Sequence, residues 1–175
     1  MSTLERLKHR LPVPEKPGWA GSPERWPFVE AMAGTELPPD YKAYINTYGG
    51  GYIGNFLYVR TPFTNNRYAN FLFQLQEFQS LLTTDFDPRL PYPFFPKPDG
   101  LLPFAMTSNG DTLFWVTKGK PAEWTLLSLE ARGPEYMEYN ECVVDLITDL
   151  LEGRLKEPGL SSDLLNFSHL FSQYP

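Results

Sequence analysis

The sequence predicts one domain in which helices pack against a sheet rich in aromatic side chains. Three observations predict it. Residues 37–51, Leu-Pro-Pro-Asp-Tyr-Lys-Ala-Tyr-Ile-Asn-Thr-Tyr-Gly-Gly-Gly, spell a complete short helix with its exit. Residues 102–130 alternate apolar runs with turn signals and carry Asn109-Gly110, the strongest short-range hairpin signal. Residues 66–82 keep Tyr68, Phe71, Leu72, Leu75, Phe78 and Leu82 at helical spacing. Composition agrees. Of 175 residues, 42% are hydrophobic and 21% charged, which describes a folded chain, and 15% are aromatic, which favours a sheet with planar side chains in its core. The length suits a single domain with a sizeable core, and neither repeat nor linker divides it.

The elements follow in order. Leu4, Leu7 and Leu11 share one side of a short helix over 3–11, and a Pro- and Gly-broken connection runs from Val13 to Gly21. A second helix spans Pro27 to Ala33, with proline in its first turn and Gly34 at its exit. In the third, Pro38-Pro39 mark the start and Asp40 meets the positive end of the helix dipole. Tyr41, Tyr44, Ile45 and Tyr48 line one face, and Gly49 is placed for the left-handed exit. A strand is expected from Tyr52 to Arg60, stopped by Pro62. The helix over 66–82 takes its cap from Thr64, Asn65 or Asn66. The Pro-rich segment 88–103 contains PxxP spacings that would suit an SH3-type groove. Tyr92, Phe94 and Phe95 read instead as buried packing in an extended crossing.

The meander strands are 102–107, 112–117 and 124–130, with a short edge strand over 135–139. Leu113-Phe114-Trp115-Val116 is apolar at both parities, so that strand is expected to be central and covered on both faces. Trp115 and Trp124 read as core packing. Asn140 can cap a helix from Glu141 to Glu152, closed by Gly153. The apolar set Leu164, Leu165, Phe167, Leu170 and Phe171 is expected to pack back on the domain. The chain thus divides into an extension (1–25), a core (26–157) and a tail (158–175).

Several function classes find little support. The formal net charge is −6, with 15 basic and 21 acidic residues, which disfavours a nucleic-acid binder. No stretch approaches membrane-spanning length, the N-terminus lacks an apolar signal core, and Cys142 is the sole cysteine; these features suggest a soluble, cytoplasmic protein. Residues 49–54 match G-x-G-x-x-G, but a helix precedes the glycines and a strand follows. The amides would belong to a helix C-terminus, which repels phosphate, so the glycines serve chain reversal. His9 and His169 stand alone without a nucleophile elbow, and with one cysteine they make no metal site. Cys142 sits where a helix dipole lowers a thiol pKa, but Glu141 and Asp145 oppose it. Asp85, Asp87 and Asp99 are explained by turn formation. No catalytic constellation and no cofactor site emerge.

One surface carries a specific message. Glu141, Asp145, Asp149 and Glu152 step by four, four and three positions, so they share a helix face, with Glu138 nearby. Val143, Leu146, Ile147, Leu150 and Leu151 fill the other face. Each (i, i+4) acid pair costs about 0.2–0.5 kcal/mol, and no lysine or arginine is interleaved to relieve it. The face is either a solubilising surface or a docking surface for a cationic partner. Residues 134–175 hold eight acids against two bases, which accounts for the whole charge surplus.

Read together, several pieces resemble the SUKH superfamily, which includes the Smi–Knr cell-wall regulators of fungi and many bacterial relatives. They are Trp26-Pro27-Phe28-Val29-Glu30, Leu37-Pro38-Pro39-Asp40-Tyr41-Lys42, Tyr48-Gly49-Gly50-Gly51, Gly100 to Phe104, Asn109 to Trp115, Pro121 to Trp124, and the helix Val143 to Leu151 with Gly153. Ala33-Gly34, where a Leu-Gly pair is expected, and Phe104, where Trp is common, depart from the pattern; segment 64–99 is the least similar. The resemblance implies an α+β domain, with a mixed, mostly antiparallel sheet and helices against it. It also implies a non-enzymatic protein-binding domain of the immunity type, which neutralises a cognate toxin, commonly a nuclease. On that reading the partner is a cationic toxin domain, met by Glu138, Glu141, Asp145, Asp149 and Glu152. The alternative is a regulatory or scaffold interaction domain of the Smi–Knr type without a toxin partner.

Overall fold

The computed structural model describes residues 2–81, 90–133, 135–155 and 171–174. The helices are α1 (Thr3–Arg10), α2 (Trp26–Ala33), α3 (Pro39–Tyr48), α4 (Phe71–Leu81) and α5 (Val143–Leu151). The strands are β1 (Gly51–Ile53), β2 (Leu57–Val59), β3 (Leu101–Thr107), β4 (Thr112–Val116), β5 (Thr125–Leu129), β6 (Tyr136–Tyr139) and β7 (Phe171–Gln173). They form one sheet in the order β6-β5-β4-β3-β2-β1-β7, with every neighbouring pair antiparallel. Among the described residues parallel pairing occurs only as isolated bridges, Thr61 to Asn70 and Phe94 to Leu101. The fold is a single α+β domain.

The sheet has two covered faces. On one, Leu102, Phe104, Leu113, Trp115, Leu126 and Tyr139 join the main core with α1, α2, α3 and α5. Trp115 stands at its centre: its ring meets Tyr41 at 4.9 Å edge-on and stacks on Phe104 at 4.6 Å. On the other, Leu101, Phe114, Val116 and Leu127 form a second cluster beneath Phe78, Tyr92 and Phe94. All four residues Leu113 to Val116 are buried, as their two-sided apolar pattern requires. The Pro-rich segment earns its place by this packing, with Leu101 N donating to Pro93 O at 2.8 Å.

Helix α3 buries Tyr41, Tyr44, Ile45 and Tyr48 completely. Tyr41 Oη donates to the Arg60 carbonyl at 2.6 Å, and Tyr48 Oη to the Leu11 carbonyl at 2.8 Å. The helix thereby ties the sheet to the N-terminal segment. Gly49 has φ 73° but ψ −155°, so it leaves the helix without the left-handed conformation expected. Glycine is required for another reason: a Cβ there would sit 1.9 Å from the Gly18 carbonyl oxygen.

Three local expectations are corrected. The stretch 52–60 is not one strand but the hairpin β1–β2, reversed at Gly54-Asn55, both with positive φ. Phe56 N donates to Ile53 O at 3.1 Å, closing the primed type of turn that hairpins favour. Helix α4 begins at Phe71 rather than Asn66, because Thr61–Asn70 pairing holds the chain before it. Its cap is Asn70, whose Oδ1 accepts from Leu72 N and Phe73 N while Nδ2 donates to the carbonyls of Pro62 and Thr64. Helix α5 is preceded by Cys142, not capped by Asn140; its Val144 N–H is taken by Asp40 of α3 at 3.3 Å. Strand β7, which the sequence did not announce, returns residues 171–173 to the free edge of β1. The expected packing of Leu164, Leu165, Phe167 and Leu170 lies outside the described residues.

Candidate functional site

The five carboxylates singled out from sequence fall into two groups. Asp145, Asp149 and Glu152 share the outer face of α5, as their spacing requires. They do not face solvent alone. Helix α1 packs against α5 and places Arg6 over all three: Nη1 lies 3.4 Å from Asp145 Oδ1, and Nη2 lies 3.2 Å from Asp149 Oδ1 and 3.4 Å from Glu152 Oε2. Arg10 Nε reaches Glu152 Oε1 at 3.2 Å. Arg154 pairs with Asp149 at 3.0 Å and with Glu152. The repulsion evident in the sequence is thus relieved from outside the helix. Thr3 also donates to Asp145 Oδ2, at 3.5 Å.

This clasp is anchored by packing. Leu7 of α1 and the following Leu11 are fully buried in the main core. Arg6 therefore presents its guanidinium from a fixed backbone, and the three carboxylates, 18–31% exposed, are partly desolvated. Such a network is worth more than isolated surface pairs.

Glu138 and Glu141 are placed differently. Glu138 lies on β6, the edge strand, opposite Leu127 of the second cluster. Its neighbour Tyr139 faces the main core, so Glu138 projects from the sheet face opposite α5. Its Oε2 accepts from Tyr92 Oη at 3.2 Å. The structure does not bring it to the helix face. Glu141 sits half-buried just before α5. Among the described residues no cation pairs with either. Tyr136 and Met137 are exposed beside Glu138, so the β6 edge is acidic and partly apolar.

Cys142 is not activated. Burial, with Asp40 and Asp145 adding to it, pushes its thiol up to about 12, and the thiol donates to Asp145 Oδ2 at 3.4 Å. His9 is exposed on α1; His169, Asp85 and Asp87 lie outside the described residues. Among the described residues no group of three His, Cys, Asp or Glu side chains is arranged to hold a metal. Among the described residues no helix is long and apolar enough to cross a membrane.

A surface that sequence reasoning missed lies between α2 and α4. Phe28 is 69% exposed, Met32 53% and Phe73 48%. Beside them Val29, Phe63 and Leu72 line a groove of about 300 Å³, with Arg25 stacked 4.0 Å over the Phe63 ring. The signal was present: Phe28 and Met32 stand four apart on the face of α2 opposite the buried Trp26, Val29 and Ala33.

Comparison with known proteins adds the family. No curated protein matches the chain. The sequence model of the SUKH_6 family, described as SMI1-KNR4 cell-wall, matches residues 23–141, about two thirds of the chain. The matched span runs from α2 through β6 and ends just before α5, so the α1–α5 clasp lies outside it. Domains of this family are generally non-catalytic binding domains. On this match, covering the sheet and the helix α3 that organises it, the chain belongs to the SUKH_6 family of SMI1-KNR4 cell-wall domains.

Proposed function

We propose that this is a protein-binding domain of the immunity type, which occludes a cationic toxin domain. The observation that supports it is the charge left on the carboxylate surface. On the α5 side Glu141, Asp145, Asp149 and Glu152 stand against Arg6, Arg10 and Arg154, four against three, so a surplus of one negative charge remains there, and Glu138 adds a carboxylate, unpaired among the described residues, on the neighbouring β6 edge. Arg6 also shows how the α5 face takes a guanidinium, through several carboxylates at once. A toxin arginine or lysine meeting Glu141 and the rim of this network finds the same chemistry. A nuclease has a basic substrate cleft, and an acidic surface competes there with the nucleic-acid backbone.

The clasp decides how to test it. Reversing Asp145 or Asp149 also removes a partner of Arg6, so lost binding would be confounded with a loosened α1. Glu138→Lys and Glu141→Lys avoid this. The double variant is expected to keep its melting temperature and to bind the toxin domain encoded beside its gene about tenfold or more weakly. Unchanged affinity, with unchanged dependence on salt, contradicts the reading.

A second reading has its own observation. The exposed Phe28, Met32 and Phe73 suit a regulatory or scaffold domain of the Smi–Knr type, which docks its partner by apolar contact and involves no toxin. Its binding would be insensitive to salt and lost in Phe28→Glu. A toxin gene with a variable C-terminal domain in the neighbourhood favours the first reading.

A further inference from the structure

The second face of the sheet is sealed at only one end. Over β3, β4 and β5 the residues Phe78, Tyr92 and Phe94 cover it. At β1 and β2 the alternation continues: Leu57 and Val59 enter the main core, so Tyr58 and Arg60 turn to the other side. Tyr58 pairs with Met106 on β3 and with Tyr52 on β1. Here the face opens into a cavity of about 390 Å³. Tyr52 stands edge-on to Tyr58 at 4.5 Å and to Tyr174 at 4.8 Å, so three aromatic rings and Met106 form its walls. The exposed Tyr68 stands at its rim.

Arg60 lines this cavity and is the odd member of the set. It is only 3% exposed, yet no described carboxylate pairs with it. Its Nη1 reaches the Ala105 carbonyl at 3.5 Å, its Nη2 the weakly accepting Met106 Sδ at 3.4 Å, and its Nε has no partner. A guanidinium carries five donors, and a buried charge is costly unless it is paired. The backbone leaves it no freedom to withdraw: Arg60 N donates to the Phe104 carbonyl at 3.0 Å, and its own carbonyl accepts from Tyr41. Desolvation pushes this guanidinium down to about 10, against its ordinary value of 12.5. Among the described residues no carboxylate lines the cavity, so nothing there competes for the cation.

We propose that this cavity is a binding site for a small carboxylic acid with an aromatic or apolar body, whose carboxylate completes the hydrogen bonds of Arg60. One cation matches one negative charge, and the guanidinium fork matches a planar carboxylate in two parallel bonds. The tyrosine walls take the body by edge and face contacts. The volume holds one small molecule. A nucleotide is a poor fit, because its phosphates ask for further cations or helix N-terminal amides, and among the described residues none lines the site. This site is independent of the carboxylate surface on α5 and survives if that reading fails.

The test uses the full chain titrated by calorimetry and by ligand-detected NMR with benzoate, phenylacetate, benzamide and phenyl phosphate. Saturable binding of benzoate or phenylacetate is expected, with benzamide about tenfold or more weaker for want of the charge-assisted pair. Arg60→Met is expected to abolish binding and to keep the fold, since it removes an uncompensated buried charge. Tyr68→Ala, at the exposed rim, is expected to weaken binding severalfold at unchanged melting temperature. It carries the test if Arg60→Met fails to fold. The proposal is overturned if neither acid binds saturably, if benzamide binds equally well, or if phenyl phosphate binds more tightly than both acids. Binding that survives both substitutions overturns it as well.

Discussion

Two tyrosines on one helix face show how far a single atom's surroundings decide its worth. Tyr41 and Tyr44 are both fully buried on α3, three positions apart. Tyr41 Oη satisfies the Arg60 carbonyl at 2.6 Å; Tyr44 Oη is buried with no hydrogen-bond partner among the described residues. Tyr41→Phe strips a buried carbonyl of its donor and is expected to cost about 1–2 kcal/mol. Tyr44→Phe removes an unsatisfied hydroxyl and is expected to be neutral, or stabilising by up to about 1 kcal/mol. Urea unfolding of the two variants checks this; equal losses would contradict it. The sequence told both residues apart from the solvent but not from each other. Spacing reports a face, whereas a hydroxyl's partner comes from a strand that spacing cannot see.

At the scale of elements, the acidic face of α5 was legible and its neutralisation was not. The steps 145, 149 and 152 fix one face by helix geometry alone. The answering charges come from Arg6 and Arg10, about 140 positions earlier in the chain. Arg6→Met keeps most of the apolar stem and removes the charge shared by three carboxylates. It is expected to destabilise by about 1–2 kcal/mol at low ionic strength, from summed partly buried pairs. The loss should shrink in roughly 1 M salt, where screening acts over about 3 Å. A salt-independent loss would mean that α1 is held by Leu7 and Leu11 alone. Turn chemistry shows the same divide. Asn109-Gly110 announced its hairpin, and Gly54-Asn55 carried an equally local signal that the apolar residues around it concealed. The cap by Asn70 and the capping of α5 by Asp40 depend on tertiary contacts, Asp40 reaching across 104 positions.

For the whole molecule, aromatic burial fixes the response to alkali. Tyr41, Tyr44, Tyr48 and Tyr174 are all held above the ordinary phenol value of 10.0, chiefly by burial, and Cys142 is raised from 9.0 to about 12. In each case the unfolded chain releases its proton first, so the folded state binds more protons and stability falls as pH rises. Tyr92 is raised too, by burial and by Glu138, whereas Arg60, lowered from 12.5 to about 10, acts in the opposite direction, one group against six. The melting temperature is therefore expected to hold near neutrality and to fall above about pH 9, steepening beyond about pH 10. A flat profile to pH 11 would contradict the burial of the phenols.

The architecture was readable because hydrophobic periodicity and turn residues are local, and the family match rests on the same span. The surfaces were harder. The α2–α4 groove and the Arg60 cavity arise where elements distant in sequence converge, and their residues look ordinary in the chain. The proposed function is the meeting of the carboxylate surface with a cationic partner. It is tested most directly by titrating the full chain, and its Glu138→Lys/Glu141→Lys variant, with the toxin domain encoded beside the gene across a series of salt concentrations. Wild-type affinity is expected to fall with salt, and the variant to bind about tenfold or more weakly at low salt, with an unchanged melting temperature. Equal affinities for the two proteins at every salt concentration would contradict it.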